Sequence, residues 1–192
     1  MNFLSSQMRD GTIIGTSNDG GVLALSTTGF RPTYHYTALD ITPVATATDV
    51  LTLTGVAGKV IRVTKVTIMG SATASAIYDV YLVKRTIANG VGTSTNPIPT
   101  LSDTTDPVAS GVLTLYTANP ASLGTGTNLE AAKTYLGTAA ITSPQINFIW
   151  GNRGDKAPVL RAGETLAINF AGAAVPTGTS LYLTFEWTED NI

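Results

Sequence analysis

Cysteine is absent from this chain of 192 residues, so neither disulfide bonds nor thiolate metal sites can form. Charge is also scarce: charged residues make up 12% of the chain, against about 25% in a typical soluble domain. The net charge is −2 and no run of lysine or arginine occurs. Nucleic-acid binding needs a basic face that displaces counterions. No apolar run reaches the length that spans a membrane, so we expect neither a nucleic-acid nor a membrane partner.

Small hydroxylated residues take the place of charge. Threonine alone is about one residue in six, and its branched Cβ suits a pleated strand. Because weak like-charge repulsion does little to keep molecules apart, we expect partners to cover part of the surface. The N-terminal sequence lacks the basic segment and apolar stretch of a secretory signal. We therefore expect synthesis and folding in a host cytoplasm.

Residues 1–33 are expected to form an extended N-terminal arm. Two short strand-like pieces, Thr12–Gly15 and Val22–Ser26, flank the turn Asn18–Gly21, and Asp-Gly between apolar runs is typical of a hairpin. The sequence leaves open whether this arm packs on its own domain or reaches a neighbouring subunit. Residues 34–192 are expected to form a single β-sandwich domain.

Short segments of alternating apolar and polar residues, separated by turn residues, recur through residues 34–192. The side chains expected to face inward are Leu51, Leu53, Tyr78, Val80, Leu82, Ile146, Phe148, Trp150, Leu166, Ile168, Phe170, Leu181, Leu183, Phe185 and Trp187. In one segment, Ile61 and Val63 have one parity and Val66 and Ile68 the other. This change of parity predicts a β-bulge near Thr64–Lys65.

Other segments depart from this alternation. Ala88–Ser110 predicts a long loop, functional or mobile, after a strand whose Arg85 is expected to face outward with Asp79 and Tyr81. Thr127–Leu136 is the one candidate helix, because Thr127 and Glu130 have capping-box spacing. About eight strands and unequal loops predict an all-β fold: a jelly-roll-like antiparallel β-sandwich with an extended N-terminal arm and at most one short helix.

His35 is the only histidine, so it cannot supply a metal cluster. A catalytic triad would require a serine or threonine nucleophile and a carboxylate beside this imidazole. Because an imidazole is catalytic only with positioned partners, we interpret His35 as a partly exposed strand residue.

Carboxylates are few. Asp103 and Asp106 could join carbonyl oxygens around calcium, but hydrogen bonds to the backbone of their own turn are the favoured interpretation. Glu186, Glu189 and Asp190 lie near the C-terminus, and Glu186 is expected on a solvated strand face. A glycosidase would need a second carboxylate in the same cleft. We therefore assign no catalytic, cofactor-binding or metal-binding residue and expect no cofactor.

Three further features have ordinary explanations. The tripeptide Arg153-Gly154-Asp155 could bind integrins, but glycine and aspartate are common in turns for backbone reasons. Glycine-rich turns such as Asn89–Gly92 lack the Lys-Ser/Thr ending of a phosphate loop. Five aromatic residues fall on inward strand faces, so core packing is favoured over a surface that stacks on sugars or bases. They are Phe148, Trp150, Phe170, Phe185 and Trp187.

From Asp49 onward the chain resembles bacteriophage head-decoration (cement) and tail-associated proteins with jelly-roll folds. The segments that carry the resemblance are Leu51–Val63, Val80–Val83, Trp150–Gly151, Pro158–Asn169 and Phe185–Glu189. Within them, the step Gly163-Glu164 before an apolar strand is the most distinctive. No catalytic residues accompany this group, so the resemblance implies none here.

These observations lead us to expect a non-enzymatic structural component of a virus particle. It would bind and stabilise the capsid surface as a homo-oligomer, in which we favour a trimer, with the major capsid protein or other virion proteins as partners. Many copies on a lattice add avidity. The alternative is a receptor- or carbohydrate-binding module of a phage tail or fibre, with the long loop at the binding end. A β-sandwich hydrolase that uses Glu186 is a third hypothesis.

Overall fold

The structure, a computed structural model, describes residues 6–7, 13–14, 31–138, 144–151 and 156–192. Within the expected arm, the strands Ser6–Gln7 (β1) and Ile13–Ile14 (β2) pair antiparallel in a two-stranded sheet of their own. β2 lies inside the predicted piece Thr12–Gly15. The turn Asn18–Gly21 and the piece Val22–Ser26 lie outside the described residues. Pro32–Ile192 is one compact unit.

Two antiparallel sheets make up this unit. Sheet A contains Thr33–Ile41 (β3), Lys59–Ser71 (β5), Thr100–Leu101 (β8), Ile146–Ile149 (β11), Val159–Leu160 (β12) and Ser180–Asn191 (β14). Sheet B contains Asp49–Thr54 (β4), Ala76–Arg85 (β6), Ser94–Thr95 (β7), Val112–Tyr116 (β9), Gly126–Leu136 (β10) and Thr165–Asn169 (β13). The strand order is β11-β5-β14-β3-β8 in sheet A, with β12 also paired to β5, and β10-β6-β13-β4-β9-β7 in sheet B.

Strands early in this unit pair with strands late in it, so that the pairs are nested along the chain. β3 pairs with β14, β4 with β13, β5 with both β12 and β11, and β6 with β10. Successive long strands from β3 to β6 alternate between the two sheets, and so do those from β10 to β14. This connectivity confirms the predicted jelly-roll-like antiparallel β-sandwich.

The core lies between the two sheets, as the alternation predicts. Every predicted inward side chain on β4, β6, β13 and β14 is buried, and so is Phe170 just after β13. The three predicted on and after β11 (Ile146, Phe148 and Trp150) are partly buried and pack against this core. Since sheet faces bury about every second residue, the period of two is sufficient to find these positions.

The predicted bulge is confirmed on β5. Lys65 is opposite Glu186 and Val63 is opposite Trp187, which leaves Thr64 as the additional residue of β5. The bulge lets Val63 and Val66, whose parities differ, both point into the core, where each is fully buried.

The predicted helix Thr127–Leu136 is wrong, because this segment is β10. It pairs with β6 along its length, with a register shift at Leu129. Without β10, the long strand β6 would present an unpaired edge, and the backbone hydrogen bonds gained there outweigh a weak helix propensity. The capping-box spacing of Thr127 and Glu130 was therefore coincidental.

The long loop Ala88–Ser110 is fastened to both sheets rather than structureless. β7 pairs with β9 in sheet B, and β8 pairs with β3 in sheet A. At the end of the loop, the backbone N–H groups of Ser110 and Gly111 donate to the Glu189 carboxylate at 2.9 Å. Residues of this loop therefore have defined neighbours on sheet A.

The Glu164 carboxylate stabilises the turn before β13 by a hydrogen bond to the backbone of that turn. Gly163 has φ of +78°, and Glu164 Oε2 accepts hydrogen bonds from Arg161 N at 2.8 Å and Lys84 Nζ at 3.1 Å. Burial by itself raises the pKa of Glu164. The hydrogen bonds and charges of Arg161 and Lys84 outweigh burial and hold that pKa below its ordinary value.

Replacing Glu164 with glutamine is expected to lower the free energy of unfolding at neutral pH by about 0.5 kcal/mol, the size of a partly screened ion pair. Because the folded-state pKa is the lower one, this stabilisation is present above the unfolded-state pKa and disappears as pH falls through the folded-state pKa. Urea unfolding of wild type and E164Q at neutral and acidic pH checks this. A difference that grew in acid would contradict the assigned contacts.

Candidate functional site

A row of neutral polar side chains crosses the outer side of sheet A. Asn147, Thr67, Thr184 and Thr37 are register neighbours on β11, β5, β14 and β3. Thr67 Oγ1 donates to Asn147 Oδ1 at 2.8 Å, and the hydroxyls of Thr37 and Thr184 lie 3.0 Å apart. We call these four residues the hydroxyl ladder. It is an ordered, uncharged strip in the middle of a sheet face.

The outer side of sheet B holds a buried ion pair. Asp49 is 1% exposed and Arg85 is 5% exposed. Nε and Nη2 of Arg85 each donate to Asp49 at 2.7 Å. Asn89 Nδ2 and Asn169 Nδ2 donate to the same carboxylate at 2.7 and 2.6 Å, and Arg85 Nη1 donates to Gly124 O at 2.7 Å. The pair is therefore neutralised and closely hydrogen-bonded.

A register shift explains why Asp49 joins this cluster. Leu51 is opposite Ile168 and Asp49 is opposite Asn169, so the pairing skips Val50. Asp49 thereby bonds to groups on the outer side, although Leu51 two residues later is in the core. Arg85 lies away from the core, as predicted, and it is nevertheless buried, because the segments carrying Asn89 and Gly124 cover it.

A depression of about 370 Å³ lies beside the buried ion pair. Arg85, Asn169, Tyr81, Asn128, Thr48 and Ala171 are among its lining residues. The Thr48 hydroxyl oxygen is buried and has no hydrogen-bond partner among the described residues. Ala171 has φ of +56°, which is unusual for a residue with a side chain. An unused hydroxyl and strained backbone beside a cavity are features of a binding site for a small polar molecule.

His35 lies on the outer side of sheet A between a serine and a carboxylate. Its Nε2 is 2.6 Å from Ser102 Oγ, and its Nδ1 is 3.6 Å from Glu186 Oε2. Glu186 Oε1 accepts a hydrogen bond from Thr64 Oγ1 at 2.9 Å. His35 and Glu186 side chains are 40% and 32% exposed, so the interpretation of His35 as a partly exposed strand residue is confirmed. The sequence did not predict its contact with Ser102.

Asp103 forms a turn with its own chain. Its Oδ1 accepts from the backbone N–H of Thr105 at 2.9 Å and from the Thr105 hydroxyl at 2.8 Å. These bonds, the backbone one foremost, lower the pKa of Asp103. Asp106 N donates to Asp103 O at 3.1 Å. In the described part of the chain, no three acidic or histidine side chains meet where they could hold a metal ion.

The C-terminal carboxylates do not form one solvated cluster. Glu189 is 4% exposed and accepts from Trp187 Nε1 at 3.0 Å in addition to the loop N–H groups. Asp190 forms an ion pair with Arg62. Burial raises the pKa of Tyr34, and the nearby carboxylates of Glu189 and Asp106 raise it further. The Tyr34 hydroxyl donates to Pro107 O at 2.9 Å, which also holds the long loop in place.

The aromatic residues belong to the core, as predicted. Phe170, Phe185 and Trp187 are fully buried, while Phe148 and Trp150 stack on each other with ring centroids 6.4 Å apart and pack against the core. Arg153-Gly154-Asp155 lies outside the described residues, so its interpretation stays a prediction.

Sequence reasoning missed the cluster around Asp49 and the contact between His35 and Ser102. The one available signal for the first was a charged residue at an end of each of two strongly apolar strands, β4 and β6. No known protein family, curated protein or solved structure matches the chain. Among the residues that the structure describes, no helix is long and apolar enough to cross a membrane.

Proposed function

We propose that this chain is a non-enzymatic structural component of a virus particle, which binds and stabilises the capsid surface as a homo-oligomer. The observation that carries the proposal is the hydroxyl ladder. A protein–protein interface is depleted of charge at its centre, and here a neutral strip occupies the middle of a sheet face on a chain that is poor in charge throughout. The jelly-roll-like fold supports the same proposal, because capsid proteins use this fold, although lectins do too.

The ladder suits an interface for a physical reason. Thr67, at its centre, is only 4% exposed, although it lies on the outer side of the sheet. Its hydroxyl already donates to Asn147. A partner that covers this strip therefore does not leave the Thr67 hydroxyl buried without a hydrogen bond, which would be costly. No long charged side chain has to be immobilised in the strip. The cost of docking on this face is therefore low.

The proposal also includes an oligomeric state, a partner and a role for the N-terminal arm. We favour a trimer whose other partner is the major capsid protein or another virion protein, made in the host cytoplasm and located in the virion. The arm 1–33 is proposed to extend to a neighbouring subunit. Repeated weak contacts on a lattice give strong total attachment.

Two lysines placed in the ladder test the proposal. Thr37 and Asn147 are exposed, so T37K/N147K retains the fold but inserts unpaired charges into the interface. We expect oligomer formation or capsid binding to weaken about a hundredfold, the effect of about 3 kcal/mol of uncompensated charge. Light scattering and co-sedimentation with capsids measure this. The control S94K/T104K adds the same charge at exposed positions of the long loop. Equal behaviour of the two variants would exclude the ladder as the interface.

The depression beside Arg85 supports a second candidate function, a receptor- or carbohydrate-binding module of a phage tail or fibre. Its buried charges are paired with each other, so it fits a neutral ligand, and the unused Thr48 hydroxyl fits a ligand rich in hydroxyl groups. A glycan array separates the two candidates: binding that Asn128→Ala abolishes favours the second, whereas no binding to any glycan favours the first.

A further inference from the structure

We propose that Ser102, His35 and Glu186 form a nucleophilic site that cleaves small esters. Our assignment of His35 as non-catalytic rested on the absence of a known nucleophile and carboxylate beside it. The structure supplies both: Ser102 Oγ is 2.6 Å from His35 Nε2, and Glu186 Oε2 is 3.6 Å from His35 Nδ1. This is the arrangement of nucleophile, base and orienting acid found in covalent catalysis. The inference does not depend on the proposed assembly function, and it revises that proposal in one respect, because a chain that cleaves esters is not purely structural.

Backbone pairing holds the three residues together. His35 is the register partner of Glu186 on β14 and of Thr100 on β8. Ser102 directly follows β8, and its N–H donates to Thr33 O at 2.9 Å. The serine is therefore held by a backbone hydrogen bond to the strand that carries the base.

The proton positions follow from the acid. A carboxylate can only accept, so the imidazole N–H faces Glu186 and Nε2 is left to accept the Ser102 proton. The distance of 3.6 Å from Nδ1 to Oε2 is longer than a hydrogen bond, as is common in catalytic sites without substrate. Thr64, the bulge residue of β5, donates to the other oxygen of Glu186 at 2.9 Å. Thr64 is thus a positioning residue for the acid.

In the proposed step, Ser102 Oγ bonds to the ester carbonyl carbon while its proton passes to His35 Nε2. The bond from that carbon to the alcohol oxygen then breaks, and the alcohol leaves with the proton from Nε2. Water, deprotonated in the same way, attacks the acyl-serine, releases the carboxylic acid and restores the Ser102 hydroxyl.

Charge around the site limits the substrate. Glu186, Asp103 and Asp106 are acidic, and Lys65 on β5 is the register partner of Glu186. Asp103 directly follows the nucleophile in the chain, so its negative charge disfavours anionic esters. Ser102 is exposed, and because the hydroxyl ladder lies on the same side of sheet A, the site acts in the unassembled chain. The site therefore fits short, uncharged or cationic esters, and replacing Asp103 with asparagine should accelerate acylation by removing a negative charge from the residue next to the nucleophile.

The test uses p-nitrophenyl acetate with the full chain, followed by peptide mass spectrometry. With no cysteine present, acetylation is limited to other nucleophiles, and peptides separate serine from lysine products. We expect Ser102 to acetylate at least about a hundredfold faster than Ser94, an exposed serine of the same loop, because general-base catalysis contributes that much. His35→Gln should remove the difference and Glu186→Gln should reduce it.

Two outcomes of this experiment contradict the proposal. Equal rates at Ser102 and Ser94 in the unaltered chain would overturn the proposal without any variant. So would a Ser102 rate unchanged by H35Q. Either result would leave the assembly function untouched, since that function is tested at the hydroxyl ladder.

Discussion

Replacing Asp49 with alanine is expected to lower the free energy of unfolding by about 3–5 kcal/mol, the cost of leaving one member of a buried ion pair alone. Arg85 is 5% exposed and would keep its charge with no counter-ion. Asn89 and Asn169 would also lose their shared acceptor, and unsatisfied buried donors add to the cost. Since a whole domain is stable by about 5–15 kcal/mol, this single change should bring the protein close to unfolding at moderate temperature.

Denaturant unfolding followed by circular dichroism measures this effect, and the pair Lys133–Asp79 provides the control. Lys133 Nζ donates to Asp79 Oδ1 at 2.6 Å, but the two side chains are 73% and 43% exposed. Lys133→Ala should therefore change stability little. In addition, D49A/R85A should lose less stability than the sum of its single changes, because the double variant buries no lone charge. Strict additivity would show that the cluster does not act as a unit.

The core could be predicted because burial repeats with the period of the strand. On β14, the four alternate residues from Leu181 to Trp187 are fully buried, and nothing but the alternation was needed to find them. The bulge at Thr64 was equally visible, since an extra residue in a strand reverses the parity of the residues after it. Patterns that extend over many residues of one strand are thus readable from the sequence.

Features that depend on a partner strand could not be predicted from the sequence. β10 contains alanines and a capping-box spacing, both of which favour a helix locally. Its conformation is decided by β6, more than forty residues earlier in the chain, which requires a neighbour along its edge. The burial of Arg85 has the same origin. The position of Arg85 on the outer side of sheet B follows from strand parity, but Asn89 and Gly124, which bury it, lie in separate segments of the chain.

The candidate nucleophilic site could not be predicted from the sequence for a related reason. His35 and Ser102 are 67 residues apart in the chain. They meet because β8 pairs with β3. β8 is a strand of only two residues within the long loop Ala88–Ser110. Two residues are too few to show an alternation, so the segment read as a loop. Glu186 was placed on the outer side of β14 by parity, yet only the register between β3 and β14 sets it opposite His35.

Trp187→Ala is expected to lower the free energy of unfolding by about 3–5 kcal/mol through the cavity it leaves in the core. Trp187 is fully buried, and its ring stacks on Tyr34 with centroids 5.7 Å apart. Its indole N–H also donates to Glu189 Oε1, the carboxylate that holds the end of the long loop. The change should therefore loosen Ser110 and Gly111 as well as destabilise the core, and proteolysis near these residues should accelerate.

Trp187→Phe separates packing from the hydrogen bond. Phenylalanine preserves most of the ring volume but has no N–H, so we expect a loss of about 1.5–3 kcal/mol in the free energy of unfolding, the value of one hydrogen bond to a charged acceptor. Unfolding is followed by circular dichroism, since Trp187 is one of only two tryptophans and its removal alters the fluorescence. If W187F cost as much as W187A, the bond to Glu189 rather than core packing would dominate this site, and Glu189→Gln should then be equally damaging. If packing dominates, E189Q should release the loop while leaving the core stable.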